Sequence, residues 1–519
     1  YVKYAEPSEW FNNQTYVDAL SPTAIKEFIR ITYEEYAKNV GEFFDKVIPA
    51  IFTDEPQVGK KGALSHAFAE EKVLLPWTTD FPVSFQQTYG MDIIPALPEL
   101  IWETSAPSQI RYLYHDHVCE RFTSAFPDQC GIWCREHHIR LTGHMWMEET
   151  LDAQTASVGE MMRTYRSFAL PGIDMLCDNV ELATVKQAQS AAHQNGAEGV
   201  MSELYGATNW TFDFRGHKFQ GDWQAALGVT VRVPHLAWAS MKGAAKRDYP
   251  ASIHYQSPWY REYRYIEDHF ARLNTVLTRG APCVNVAVIH PVESYWLHWG
   301  PRENTANDRE ELETNFNNII NWLLFGLIDF DFISESMLPI QYKNGSDALS
   351  VGAMKYKTLI VPGCETLRRT TVAYLSAFQK NGGRVIFVGD CPKCVDAALS
   401  DTARPIYEVA ERIPFSKRML LNSLKNDRFL SIKNPDGSAT DNLIYQLRVD
   451  GEVKWIFLAH AKKPKEKKMV VCQNIEIIIN GEYEPVHYDT LNGTMRKIEF
   501  NIKNGNTYIK HGLYAYDSL

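Results

Sequence analysis

The chain has 519 residues, 45% hydrophobic and 22% charged, with a formal net charge of −10. That length exceeds one hydrophobic core, which stops growing at roughly 250–300 residues, so two to four domains are expected. The acidic balance repels nucleic acid, and no apolar run reaches the about 18–20 residues of a membrane helix.

Nine cysteines, an odd number without repeating spacing, argue against a disulfide framework and lean towards a reducing compartment. Cys391 and Cys394 form a lone C-x-x-C, and zinc would need a second pair. Cys130, Cys134, His137 and His138 sit at helical spacing and read as a buried helix face rather than a zinc site. The chain opens on Tyr1-Val2-Lys3-Tyr4, with neither an initiator Met nor a signal peptide, so residue 1 is not read as the natural start.

In chain order, a helix is expected from Ser21 to Glu42, opened by the Ser21-Pro22 cap. A strand over Val47 to Phe52 ends in Thr53-Asp54-Glu55-Pro56, and a Pro-rich excursion runs to about residue 107. A helix from Gln109 to His138 leads into a strand over Ile139 to Trp146. Further strands read Gly172 to Cys177, Gly199 to Leu204 and Gly228 to Val233, each separated by a helix. This βαβα rhythm predicts parallel strands with helices outside, a (β/α) barrel-type domain over residues 1–280. Five such strands are legible where a closed barrel has eight, so the others are expected upstream of Tyr1.

The pattern restarts near residue 281 with strands over Val284 to Pro291, Asp329 to Ile333, Tyr356 to Pro362 and Gly383 to Val388. The expectation for 281–425 is a small, doubly wound α/β domain, flavodoxin-like or amidotransferase-like. It lacks a phosphate-binding fingerprint. From 426 to 519 helices vanish, and Asn480-Gly481, Asn492-Gly493 and Asn504-Gly505 are hairpin signals of a β-sandwich. The basic run Lys462 to Lys468 reads as a solvated loop.

In a barrel, chemistry projects from the C-terminal ends of the strands. Those ends offer Asp54 and Glu55, then His144, Trp146, Glu148 and Glu149, then Asp174 and Asp178, then Glu203 with Tyr205 and Trp210, then His235 and Trp238. Recurrent acids beside aromatic rings suit glycoside hydrolysis, in which one carboxylic acid protonates the leaving oxygen and a carboxylate activates water or attacks carbon. Each acid alone could instead cap the following helix. Taken jointly, Glu55, Glu148 and Glu203 are the catalytic candidates. Glu148, next to Trp146 and Met147, is the preferred general acid because apolar neighbours raise a carboxyl pKa. Asp54, His144, Trp146, Asp178, Tyr205, Trp210, His235 and Trp238 are the substrate-binding candidates.

Thr53-Asp54-Glu55-Pro56, Thr142-Gly143-His144-Met145-Trp146-Met147-Glu148, Pro171-Gly172-Ile173-Asp174 and Ser202-Glu203-Leu204-Tyr205-Gly206 together resemble glycoside hydrolase family 106. So does Asp222-Trp223 with Leu227-Gly228-Val229 and His235. This is the α-L-rhamnosidase family, and the resemblance covers roughly residues 10–300. It implies inverting hydrolysis of terminal α-L-rhamnosides with a calcium ion in the site, and it matches Glu55, Glu148 and Glu203 to active-site glutamates without dividing acid, base and calcium ligand among them. The architecture is also similar to family 42 β-galactosidases, which carry Asn-Glu where this chain has Met147-Glu148. The expectation is therefore a carbohydrate-active enzyme. A retaining β-galactosidase-like hydrolase and an inactive sugar-binding protein are the alternatives.

Overall fold

The computed structural model describes residues 3–105, 107–242, 252–343, 348–464 and 471–519. The expected first helix is two, α1 (Pro22–Ile31) and α2 (Tyr33–Val40), divided at Thr32. Ser21 caps α1, its hydroxyl accepting from the Ala24 N–H, as its place before Pro22 predicts. The long second helix is likewise split, into α3 (Gln109–Ala125) and α4 (Pro127–Glu136). Pro127 lacks the N–H that a continuous helix needs and restricts the residue before it.

Five strands form the first sheet: β1 (Ala50–Thr53), β2 (Arg140–Gly143), β3 (Leu170–Met175), β4 (Val200–Leu204) and β5 (Val229–Pro234). They lie in sequence order and pair in parallel throughout, an open arc of a (β/α) barrel. Helices α5 (Leu182–Asn195) and α6 (Phe214–Ala226) cross over between the later strands, and α7 (Arg264–Leu277) follows β5.

The chain then makes a two-residue strand, β6 (Ala281–Pro282), which pairs with the sandwich that follows rather than with either α/β sheet. The second parallel sheet contains β7 (Val286–Ile289), β8 (Phe330–Ile333), β9 (Thr358–Pro362), β10 (Arg384–Val388) and β11 (Glu411–Ile413) in the order β11-β10-β9-β7-β8. Counted from its own first strand this is 2-1-3-4-5, the flavodoxin-like winding. Helix α8 (Arg302–Phe325) and helix α9 (Arg369–Lys380) cross between these strands.

Two antiparallel sheets form the sandwich. One contains β12 (Leu430–Lys433), β15 (Cys472–Asn480), β17 (Asn506–Tyr514) and β16 (Phe500–Lys503), and the other β14 (Val453–His460), β13 (Leu443–Asp450) and β6. Asn504 and Gly505, both at positive φ, turn β16 into β17, the two-residue hairpin that Asn-Gly specifies. The basic run is not simply solvated. Lys463 reaches Asp178 at 2.6 Å and Lys462 lies 4.3 Å from the centre of the Phe325 ring, while residues 465–468 of the run lie outside the described residues. Of the cysteine-histidine group, Cys130 and Cys134 are buried on α4 and burial pushes both thiols up to about 12, whereas His137 follows the helix, stacked on Trp133, and His138 is exposed. No helix among the described residues is long and apolar enough to cross a membrane.

Candidate active site

Adjacent parallel strands deliver their C-terminal residues to one rim. Gly143 closes β2 at φ +125°, where a Cβ would stand 1.9 Å from the Thr53 carbonyl oxygen, and a Cβ on Gly172 would stand 2.4 Å from the Gly143 oxygen. Only glycine lets β1, β2 and β3 converge this closely. Past the strand ends the backbone turns sharply: Glu55, Met147, Asp178 and Tyr205 all take positive φ. Non-glycine residues adopt that conformation at a cost, and such residues gather where a side chain must be aimed.

His144 is the hub. It follows β2 directly, is buried, and its N–H donates to the Thr53 carbonyl at 3.1 Å. Its Nε2 lies 2.9 Å from Glu203 Oε2 and 3.6 Å from Asp54 Oδ1. Burial works against the imidazolium, but the Glu203 hydrogen bond and the Glu148, Asp174 and Glu203 carboxyls outweigh it, lifting His144 to about 9. Glu203 and Asp174 are register partners on β4 and β3, each the partly exposed residue in an otherwise buried strand. Burial, reinforced by Glu203, Glu55 and Asp54 and opposed by His144, lifts Asp174 to about 7. Its Oδ1 is buried without a hydrogen-bond partner. Burial likewise raises Glu55, with the His144 cation opposing and Asp54, Glu203 and Glu149 adding to the rise.

Glu148 is different. The strand expected through Trp146 ends at Gly143, so strand alternation does not position Glu148; a turn through Met147 does. Its carboxyl is buried, Oε1 accepting from the Met145 N–H at 3.0 Å and Oε2 facing the Asp174 N–H at 3.5 Å. Tyr165 Oη hydrogen-bonds Glu148 Oε1 and also the Gly172 carbonyl oxygen, the latter at 2.7 Å. A phenol carries one proton and a carbonyl only accepts. Both bonds form fully when Glu148 itself brings a proton. Burial, against the pull of His144, Tyr165 and Met145, lifts Glu148 to about 8, which agrees with that count.

The remaining candidates divide. Tyr205 is 2% exposed, packs against Phe212 and His217, and donates to the His217 carbonyl, so its ring belongs to the core rather than to the rim. Asp178 is committed to Lys463 and to Gln220 Nε2 at 2.8 Å, a tie to the sandwich. Trp210 and Trp238 meet edge to face at 5.7 Å. His235 packs on Gly206, its N–H donating to Leu204. Trp146 is half-buried in the turn that follows His144. Asp174 and Tyr165 join the site although sequence reasoning selected neither.

Among the described residues, Asp54, His144 and Glu203 bring ligand atoms within 4.8 Å of one another. Calcium takes six to eight oxygens. This group supplies two carboxylates and a nitrogen already hydrogen-bonded to one of them, so by itself it does not fit that ion.

No protein-family model matches the chain. Over 332 residues, 61% of this chain, it is 23% identical to a putative beta-glucuronidase of Formosa agariphila. Among solved structures, a rhamnosidase from Novosphingobium sp. PP1Y superposes on 97% of the chain with a TM-score of 0.72 and 16% identity. A beta-galactosidase from Bacillus circulans sp. alkalophilus covers 98% with a TM-score of 0.59 and 13% identity, matching 86% of its own length. An exo-carrageenase GH42 from Bacteroides ovatus covers 100% with a TM-score of 0.62 and 11% identity, matching 71% of its own length. The chain spans 26% of the curated relative and 47% of the rhamnosidase. At these identities the structural likeness shows a shared fold: an arc of barrel, a flavodoxin-like sheet and a β-sandwich.

Proposed function

We propose that the chain is a glycoside hydrolase in which Glu55 is the general acid and Glu203 the carboxylate that activates water. The observation that carries this reading is the rim itself, where Glu203 is held by a charged His144 while burial keeps the nearby Glu55 carboxyl raised. Glu55, raised by burial, and Glu203, hydrogen-bonded to His144, supply from neighbouring strand ends the two carboxyls that such hydrolysis needs. Glu148 was the preferred acid on sequence; its proton is engaged with Tyr165, so the role passes to Glu55. His144 positions Glu203 and neutralises part of the surrounding charge.

The substrate proposed is a terminal α-L-rhamnoside cleaved with inversion. The ordered motifs over residues 10–300 support it, as does the superposition on a rhamnosidase. Calcium stays a proposal of that resemblance alone, and no step above uses it. The alternative is a retaining β-glycosidase, favoured by the likeness to a beta-galactosidase matched over most of its length. Proton NMR of the sugar first released from an aryl α-L-rhamnoside separates the two: the β-anomer supports inversion, and the α-anomer overturns it. Turnover of an aryl β-galactoside in place of the rhamnoside would favour the second reading.

A further inference from the structure

A second polar cavity lies away from the rim, where the second parallel sheet meets the sandwich. Its volume is about 230 Å³, below the about 300–1,000 Å³ of pockets that take drug-sized ligands and suited to one sugar-sized molecule. Its lining includes Cys283, Asn285, Asp329, Arg428 and Tyr445.

Several of these groups are desolvated yet uncommitted. Asp329 is 9% and Tyr445 6% exposed. Asp329 Oδ1 accepts from Lys186 Nζ at 2.7 Å and from the Phe330 N–H at 2.9 Å, while Oδ2 takes no hydrogen bond from the described residues. Arg428 donates through Nε to the Gly326 carbonyl at 2.9 Å, and its two terminal nitrogens have no protein partner among the described residues. The Tyr445 hydroxyl also has none. It is close enough to its neighbours that burial, then Asp329 and Cys283, hold the phenol above its ordinary range while Arg428 opposes them. These atoms are not sealed in the core: they belong to residues that line the cavity, where an entering ligand meets them free.

The charge around the cavity selects the ligand. Lys186 neutralises Asp329, and Arg384 pairs with Asp427, another lining carboxylate, at 2.9 Å. With Asp329 and Asp427 paired, Arg428 is the lining charge left without an ion-pair partner among the described residues, beside hydrogen-bond acceptors. A guanidinium with free terminal N–H groups matches a carboxylate in bidentate fashion, and Asp329 Oδ2 with the Asn285 amide matches hydroxyl groups. We propose that this cavity binds a monosaccharide-sized hydroxy-carboxylate, a sugar acid, with its carboxylate on Arg428 and its hydroxyls on Asp329 and Tyr445.

Isothermal titration calorimetry on the whole chain tests this with sodium D-glucuronate, and with D-glucose as the neutral ring of the same size. The titrations use the Glu203→Gln background, so that turnover at the rim adds no heat. D-glucuronate is expected to bind one to one, at least tenfold tighter than D-glucose. Arg428→Gln should remove that preference. Tyr445→Phe, which keeps the ring and therefore the packing, should weaken binding about tenfold. Absence of binding, equal affinity for the two sugars, or affinity unchanged in Tyr445→Phe with native circular dichroism would each overturn the assignment. If Arg428→Gln fails to fold, the sugar comparison and Tyr445→Phe decide alone.

Discussion

Two buried groups of charges in this molecule use the same residue types to opposite ends. Between α3 and the second sheet, Arg163 and Arg368 stand against acids. Asp116 accepts from Arg163 at 2.8 Å and from Arg368 at 2.5 Å. Glu293 accepts from Arg368 Nε at 2.7 Å and from the Tyr112 hydroxyl at 2.7 Å. Burial works to raise Asp116, but the two guanidiniums overcome it and hold the carboxyl well below its usual range, whereas at Glu293 burial outweighs Arg368 and the carboxyl is raised. At the rim of the first sheet, His144 alone faces Asp54, Glu55, Glu148, Asp174 and Glu203. There burial wins at three of them, which are raised. Charges matched by arginines tie two layers together. Carboxyls left in excess of their cation keep protons, and a kept proton is what acid catalysis needs.

The widest separation between the two groups should appear in rate. Glu203→Gln removes the charge at constant shape, and turnover of an activated aryl glycoside should fall by about 10²–10⁴-fold with an unchanged urea midpoint. An unaltered rate would remove Glu203 from the mechanism. Arg368→Ala should do the reverse. Leaving Glu293 without its cation, and Asp116 with Arg163 alone, costs about 3–5 kcal/mol of stability, read by urea denaturation, while activity per folded molecule stays near wild type.

The third expectation concerns pH. Burial holds Glu148 at about 8 in the fold against an ordinary 4.5, so the folded chain keeps a proton that the unfolded chain releases. Its contribution to stability is full below pH 4.5 and lost as pH rises to 8, at most roughly 4–5 kcal/mol at 1.36 kcal/mol per unit. His144, raised to about 9, adds a loss of the same sign between pH 6.5 and 9. Glu148→Gln, which mimics the neutral acid, should flatten the stability profile between pH 5 and 8. An unchanged slope would mean that Glu148 is ionised throughout. The smallest effect is expected from Tyr165→Phe. If the phenol accepts the Glu148 proton, its loss lowers the Glu148 pKa by about one unit, seen as an earlier rise of the carboxylate band in infrared difference spectra. A shift upward would show that Tyr165 is the donor.

The strand-end rule found Glu55, His144 and Glu203 from sequence because each directly follows or nearly ends an apolar parallel strand. It offered Asp174 and Asp178 together, and the binding candidates kept only Asp178, for a local reason. The strand read as Gly172 to Cys177 runs from Leu170 to Met175, so the last side chain on the rim is two residues earlier than expected, and Asp178 falls into the turn beyond. Tyr165 carries no such signal. It comes from a short 3-10 turn over Tyr165–Ser167, and only folding brings it to Glu148. The flavodoxin-like order followed from apolar strands alternating with helices, whereas the β6 excursion into the sandwich is too short to leave a pattern.

The assignment of Glu55 as acid is tested most directly by kcat/KM for wild type and Glu55→Gln on a series of aryl glycosides whose leaving phenols become progressively more basic. A proton donor matters most when the leaving oxygen is a strong base. The account predicts that Glu55→Gln loses little on the most acidic phenol and about 10²–10⁴-fold on the most basic. A loss equal across the series, or none, would contradict it.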